Sequence, residues 1–284
     1  MKTYFKTPKS KEIVLAYYQN ILSKWPVANK QFKVQTSFGE TFIIASGDIH
    51  LPPLILVHGS VSNSYTWFSD IEALSQSYRV YAIDIIGDAG LSDEARPSYK
   101  SGAYAKWLNE ILQHLNIEKC YMAGLSLGGW MITHFAIKFP QKVTGLFLIS
   151  PGGYAKTKAS CLFKLFFFTL TRQNKKLIQL LNGGHTITPE SKIDAAMKYT
   201  LLINKHFHPR REKLPIFTSQ QLSKLTMPVQ MVIGEKDCFF DARDVLYNLT
   251  QSASHTEGIL LPDTGHIVIN QAENMQRFFK PIKE

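Results

Sequence analysis

The chain of 284 residues is 45% apolar, 12% aromatic and 19% charged, the composition of a soluble globular protein with a large core, which excludes a disordered, collagen-like or disulfide-stapled chain. Its formal charge is +10, from 32 Lys and Arg against 22 Asp and Glu, a surplus that raises nucleic acid, an anionic membrane surface or an acidic ligand as partners. Residues 151–225 hold 13 of the basic residues against Glu190, Asp194 and Glu212, while the rest of the chain holds 19 of each sign. No RNP, zinc or helix-turn-helix pattern accompanies the surplus, so nucleic acid is not an expected partner.

In chain order, Ile13, Val14, Tyr17, Tyr18, Ile21, Leu22 and Trp25 recur at helical spacing before Pro26, which predicts an amphipathic helix over Lys9 to Trp25. Tyr17, Gln19, Asn20, Ser23 and Lys24 break any continuous apolar run there, so no signal peptide is expected. Phe32 to Gln35 and Thr41 to Ala45 flank Ser37-Phe38-Gly39 and predict a hairpin of two antiparallel edge strands. Beyond Pro52-Pro53 the runs Leu54 to Val57, Val80 to Ile83, Tyr121 to Leu125, Leu146 to Ile149, Val229 to Ile233 and Gly258 to Leu261 are short and almost wholly apolar. Such runs, alternating with helix-length segments, are strands of a parallel sheet buried on both faces.

The alternation breaks between Pro151 and Met227, where an inserted helical subdomain is expected, with Leu162, Leu165, Phe166 and Thr169 on one helix face and a stop at Asn182-Gly183-Gly184. The run Cys161 to Leu170 contains Lys164 and has about half the length needed to cross a bilayer, so no integral membrane segment is expected. Three cysteines, Cys120, Cys161 and Cys238, with no CxxC spacing suggest neither a disulfide framework nor a zinc site. A reducing, cytoplasmic compartment fits them, and His206-Phe207-His208 lacks the carboxylate or cysteine that would complete a metal site. The expected organisation is an N-terminal helical segment over 1–30, a core over 31–150 and 226–284, and a basic helical insertion over 151–225.

Four turns follow the C-terminal ends of the expected strands, where open parallel sheets bind ligands. Gly124-Leu125-Ser126-Leu127-Gly128-Gly129 lies between a strand and an apolar helix. A nucleophile on such a turn needs a strained backbone and small residues two before and two after it, and Ser126 meets both conditions. A serine hydroxyl needs a base, and the base needs a carboxylate to hold its tautomer. His266 follows the strand ending at Leu261, whereas His255 precedes it; His266 is therefore the expected base, placed at the start of the terminal helix. Asp237, after the strand ending at Ile233, is the favoured acid, with Glu235, Asp241 and Asp244 as close alternatives. The order Ser126, Asp237, His266 belongs to one fold among those that carry this triad. The turn His58-Gly59-Ser60-Val61 supplies the remaining oxyanion donor: the N–H of Leu127 and that of Ser60, with Val61 second, would hold a developing oxyanion. His58 is read as structural.

Taken together, His58-Gly59, Asp84 to Ser92 (DIIGDAGLS), the Ser126 turn, Gly234-Glu235-Lys236-Asp237 and Gly265-His266 resemble the α/β-hydrolase superfamily over residues 30 to 280. Lys24-Trp25-Pro26-Val27, Phe38-Gly39-Glu40-Thr41 and Asp84-Ile85-Ile86-Gly87-Asp88 are further similar to bacterial carboxylesterase-like members. The resemblance implies an α/β-hydrolase fold with a mostly parallel eight-stranded sheet, its second strand antiparallel, and residues 151–225 as the cap. Asp88 departs from relatives that often carry Gly, in a loop expected to border the core rather than the triad. The implied activity is a cofactor-independent, metal-free serine hydrolase acting through an acyl-enzyme on a small to medium carboxylic ester. C–C bond hydrolase, lactonase, lipase, aminopeptidase and perhydrolase readings stay open, as does a non-catalytic ligand-sensing homologue. Phe163, Phe166 and Phe167 are the candidate lining of an apolar acyl pocket. The oligomeric state is not readable from the sequence.

Overall fold

A computed structural model describes residues 3–186 and 192–279, leaving Glu190 and the side chain of Asp194 outside the described set. The elements run α1 (Pro8–Leu22), β1 (Asn29–Thr36), β2 (Gly39–Ser46), β3 (Pro53–Val57), α2 (Ile71–Ser75), β4 (Arg79–Ile83), α3 (Ala103–His114), β5 (Cys120–Leu125), α4 (Leu127–Lys138) and β6 (Val143–Ile149). The inserted region follows as α5 (Ala159–Leu170), α6 (Asn174–Leu181), α7 (Lys192–His206) and α8 (Ser219–Leu222), and the core resumes with β7 (Val229–Gly234), α9 (Ala242–Ser252), β8 (Thr256–Leu261) and α10 (Ala272–Phe278).

One eight-stranded sheet has the order β1-β2-β4-β3-β5-β6-β7-β8. β2 is antiparallel to both β1 and β4, and the pairs from β4 onward are parallel. The hairpin therefore forms as expected, but of its two strands β1 alone lies at an edge; β2 is covered on both sides because its backbone also pairs with β4. The period of two shows in β3, whose Ile55 and Val57 join Trp107, Ile132 and Met231 on one face, while Leu54 and Leu56 join Val14, Leu74 and Met275 on the other.

The N-terminal helix is welded to both halves of the molecule. Tyr18 of α1 donates its hydroxyl to the fully buried Asp84 carboxylate, which also accepts the Ser64 N–H and hydroxyl and the Leu91 N–H. Four hydrogen bonds offset the desolvation of this acceptor. On its other side α1 meets α7, where Tyr17 stacks on Tyr199 at 5.0 Å. Among the described residues no helix is long and apolar enough to cross a membrane.

Candidate active site

Ser126 sits between β5 and α4 with φ 50° and ψ −106°, a conformation L-residues rarely adopt. Its N–H donates to the Ile149 carbonyl at 2.8 Å, and its own carbonyl accepts the Trp130 and Gly152 N–H groups, each at 3.1 Å. The flanking glycines are required by contact. A Cβ on Gly124 would stand 2.6 Å from the Gly128 backbone, and one on Gly128 would collide with the Val57 carbonyl. The turn can form only because both side chains are missing.

His266 Nε2 lies 3.1 Å from Ser126 Oγ, and His266 Nδ1 lies 2.7 Å from Asp237 Oδ2. A carboxylate only accepts, so Nδ1 carries the proton and Nε2 is left to accept from the serine hydroxyl. Asp237 is 2% exposed, and its Oδ1 accepts the Phe239 and Phe240 N–H groups at 2.7 and 3.2 Å. Burial by itself would lower the His266 pKa, but the charge and hydrogen bond of Asp237 outweigh it and raise it above the ordinary histidine value. The alternative acids are engaged elsewhere: Asp241 caps α9 through the Arg243 and Asp244 N–H groups, Asp244 lies in that helix's first turn, and Glu235 faces Arg243 at 3.7 Å.

His266 does not start the terminal helix, as its sequence position suggested. α10 begins at Ala272, and His266 stands on a loop whose backbone is held from the insertion, with its N–H donating to the Leu181 carbonyl at the end of α6 at 2.9 Å. The segment that ends at the Asn182-Gly183-Gly184 stop thus also seats His266. Gly183 has φ +69°, and a Cβ on Gly265 would stand 2.7 Å from the Asn182 carbonyl carbon.

At the end of β3, Ser60 and Leu127 line one cavity of about 10 Å³ with Asp88, Arg96 and Arg210. That is room for about one water-sized atom. The Leu127 N–H is the first of α4 and has no intrahelical partner. The Val61 N–H donates to Asp88 Oδ2 at 3.2 Å, so of the two donors considered in this turn it is Ser60 that is left unengaged among the described residues. His58 is fully buried; it accepts the Ile85 N–H at Nε2 and donates from Nδ1 to the Gly59 carbonyl at 2.7 Å, fixing the peptide before Ser60. Asp88 corrects the sequence expectation, because its loop borders this cavity and not only the core. Burial pushes its carboxyl up, against the pull of His58 and Arg96. Only the folded loop brings Asp88 to Val61, 27 residues away in the chain, so no local motif signals it.

The insertion departs from expectation in its facing. Phe163 and Phe166 are 68% and 66% exposed and Phe167 is 44% exposed, whereas Cys161 is buried and Leu165 and Phe168 are half-buried. The candidate acyl-pocket phenylalanines therefore point outward, and the inward face of α5 is not the predicted Leu162, Leu165, Phe166 and Thr169. A helix apolar on every side carries no periodic signal to say which face turns in. The residue that caps the start of α5 docks on the turn after Asp237, with Lys158 donating its N–H to the Phe239 carbonyl at 2.7 Å and its ammonium to the Asp237 carbonyl at 3.3 Å. Among the described residues no group of three His, Cys, Asp or Glu could hold a metal; His206 Nδ1 meets Ser10 Oγ, and His208 donates its N–H to Tyr4.

The family model described as alpha/beta hydrolase fold matches residues 52–272. The chain belongs to the α/β-hydrolase family. Among proteins of this family it is 29% identical to a Bacillus subtilis protein named uncharacterized carboxylesterase nap, across 96% of this chain and 95% of that one. A putative hydrolase from B. subtilis superposes with a TM-score of 0.86 at 27% identity, covering 96% of this chain and all of the other. Naproxen esterase (carboxylesterase NP) from B. subtilis superposes at 0.82 and 27%, covering 96% and 98%.

Proposed function

We propose that this α/β hydrolase is a cofactor-independent serine carboxylesterase. Ser126 Oγ attacks the ester carbonyl while His266 Nε2 takes its proton, and Asp237 holds the imidazole in the required tautomer and stabilises the imidazolium. The developing oxyanion accepts the Ser60 and Leu127 N–H groups. His266 returns the proton to the leaving alcohol, leaving an acyl-Ser126 that water hydrolyses by the same route. The 3.1 Å approach of His266 Nε2 to Ser126 Oγ on a strained turn carries this reading. The same residues would serve lactones, peroxy acids or activated C–C bonds; relatives named for carboxylester hydrolysis favour an ester. The free cysteines fit a cytoplasmic setting.

p-Nitrophenyl esters from acetate to palmitate test the proposal. Turnover of short and medium esters is expected, with Ser126→Ala lowering kcat on the order of 10⁴-fold or more. A Ser126→Ala protein that keeps wild-type turnover would sink it.

A further inference from the structure

The outer face of α5 is exposed among the described residues. Leu162, Phe163, Phe166, Phe167 and Leu170 are 46%, 68%, 66%, 44% and 68% exposed. At about 100° per residue they fall within an arc of about 140°, so they form one continuous apolar stripe. Contiguous exposed apolar surface on a folded chain marks an interaction site more often than isolated exposed side chains do.

The chemistry around the stripe selects its occupant. Lys156, Lys164, Arg172, Lys175 and Lys176 are all exposed, and none forms an ion pair among the described residues. The sequence has no Asp or Glu between Glu118 and Glu190. We propose that α5 is an interfacial anchor, laying Leu162, Phe163, Phe166, Phe167 and Leu170 into an anionic lipid surface while the exposed lysines and arginine on and next to it in the chain meet the headgroups. A short helix with phenylalanines and leucines on one side and cations beside them lies in the plane of an interface. Twelve residues rise about 18 Å, too little to cross the hydrocarbon. A second copy is a poor occupant, because face-to-face docking of the stripe would bring the like charges of two α5 segments, which hold no acidic residue, toward each other.

The helix is attached firmly enough to carry the body with it. The two Lys158 bonds tie the N-terminal end of α5 to the turn that follows Asp237. Docking would therefore hold the acid turn at a fixed relation to the lipid surface, whether or not the site hydrolyses esters.

Co-flotation with vesicles tests the anchor without using activity. The full chain is expected to float with vesicles of equal parts phosphatidylcholine and phosphatidylglycerol, and to stay behind with phosphatidylcholine alone. Lys175→Gln with Lys176→Gln should lower partitioning on the order of tenfold or more, since each cation near an anionic surface contributes about fivefold. Leu162→Ser with Phe166→Ser should lower it by a similar factor through lost insertion, with the circular-dichroism melting curve unchanged because both side chains are exposed. Absence of flotation at low salt would overturn the proposal. So would flotation indifferent to the Leu162/Phe166 pair, which would make the attraction purely electrostatic. A concentration-dependent dimer abolished by that pair, in place of vesicle binding, would assign the stripe to a second copy.

Discussion

Asp237 uses one oxygen on His266 and the other on the N–H groups of Phe239 and Phe240, so the carboxylate that sets the tautomer is itself fixed. In the proposed mechanism His266 works as neutral imidazole. Because its folded pKa is raised, kcat/KM should fall on acidification with a limb above the ordinary histidine value of about 6.5. Asp237→Asn removes the charge that raises it and leaves burial, which lowers it; the limb should move to lower pH while kcat drops on the order of 10⁴-fold. A pH profile on p-nitrophenyl acetate reads both, and an unmoved limb would show that Asp237 does not control His266. Ser126 and His266 were legible because each chemistry needs a short local pattern at a strand end. Asp88 was not, since its contact with Val61 exists only after two loops fold together.

At the scale of elements, the segment between β6 and β7 holds part of the candidate site in place. The end of α6 gives its Leu181 carbonyl to the His266 N–H, and Gly183 and Gly265 pass so closely that neither backbone leaves room for a side chain. Gly265→Ala should displace the His266 loop, and a displacement of about 1 Å costs roughly 10²-fold in kcat. Steady-state kinetics beside far-UV circular dichroism would check this; full kcat in a folded variant would refute the contact's importance. The Asn182-Gly183-Gly184 stop was readable as the end of a helix, but not as a seat for the base, because the partner lies some 80 residues downstream. The buried strands were legible as well, since period and length distinguish them from helices. The facing of α5 was hidden by its apolar composition on every side.

For the whole molecule, topology brings residues 126, 237 and 266 to the same end of one parallel sheet, at the C-terminal ends of β5, β7 and β8. The +10 divides unevenly over it: residues outside 151–225 are balanced, 19 against 19, and the insertion carries the surplus together with the exposed stripe of α5. Charge therefore describes the insertion, while the residues that carry Ser126, Asp237 and His266 are balanced. The account depends most on Ser126 being a nucleophile activated by His266. Incubation of the folded protein with a fluorophosphonate, followed by peptide mass spectrometry, measures this directly. It should give one phosphonyl adduct, on Ser126, with labelling slowed by His266→Ala; a folded protein that stays unlabelled, or is labelled at another serine, would contradict the account.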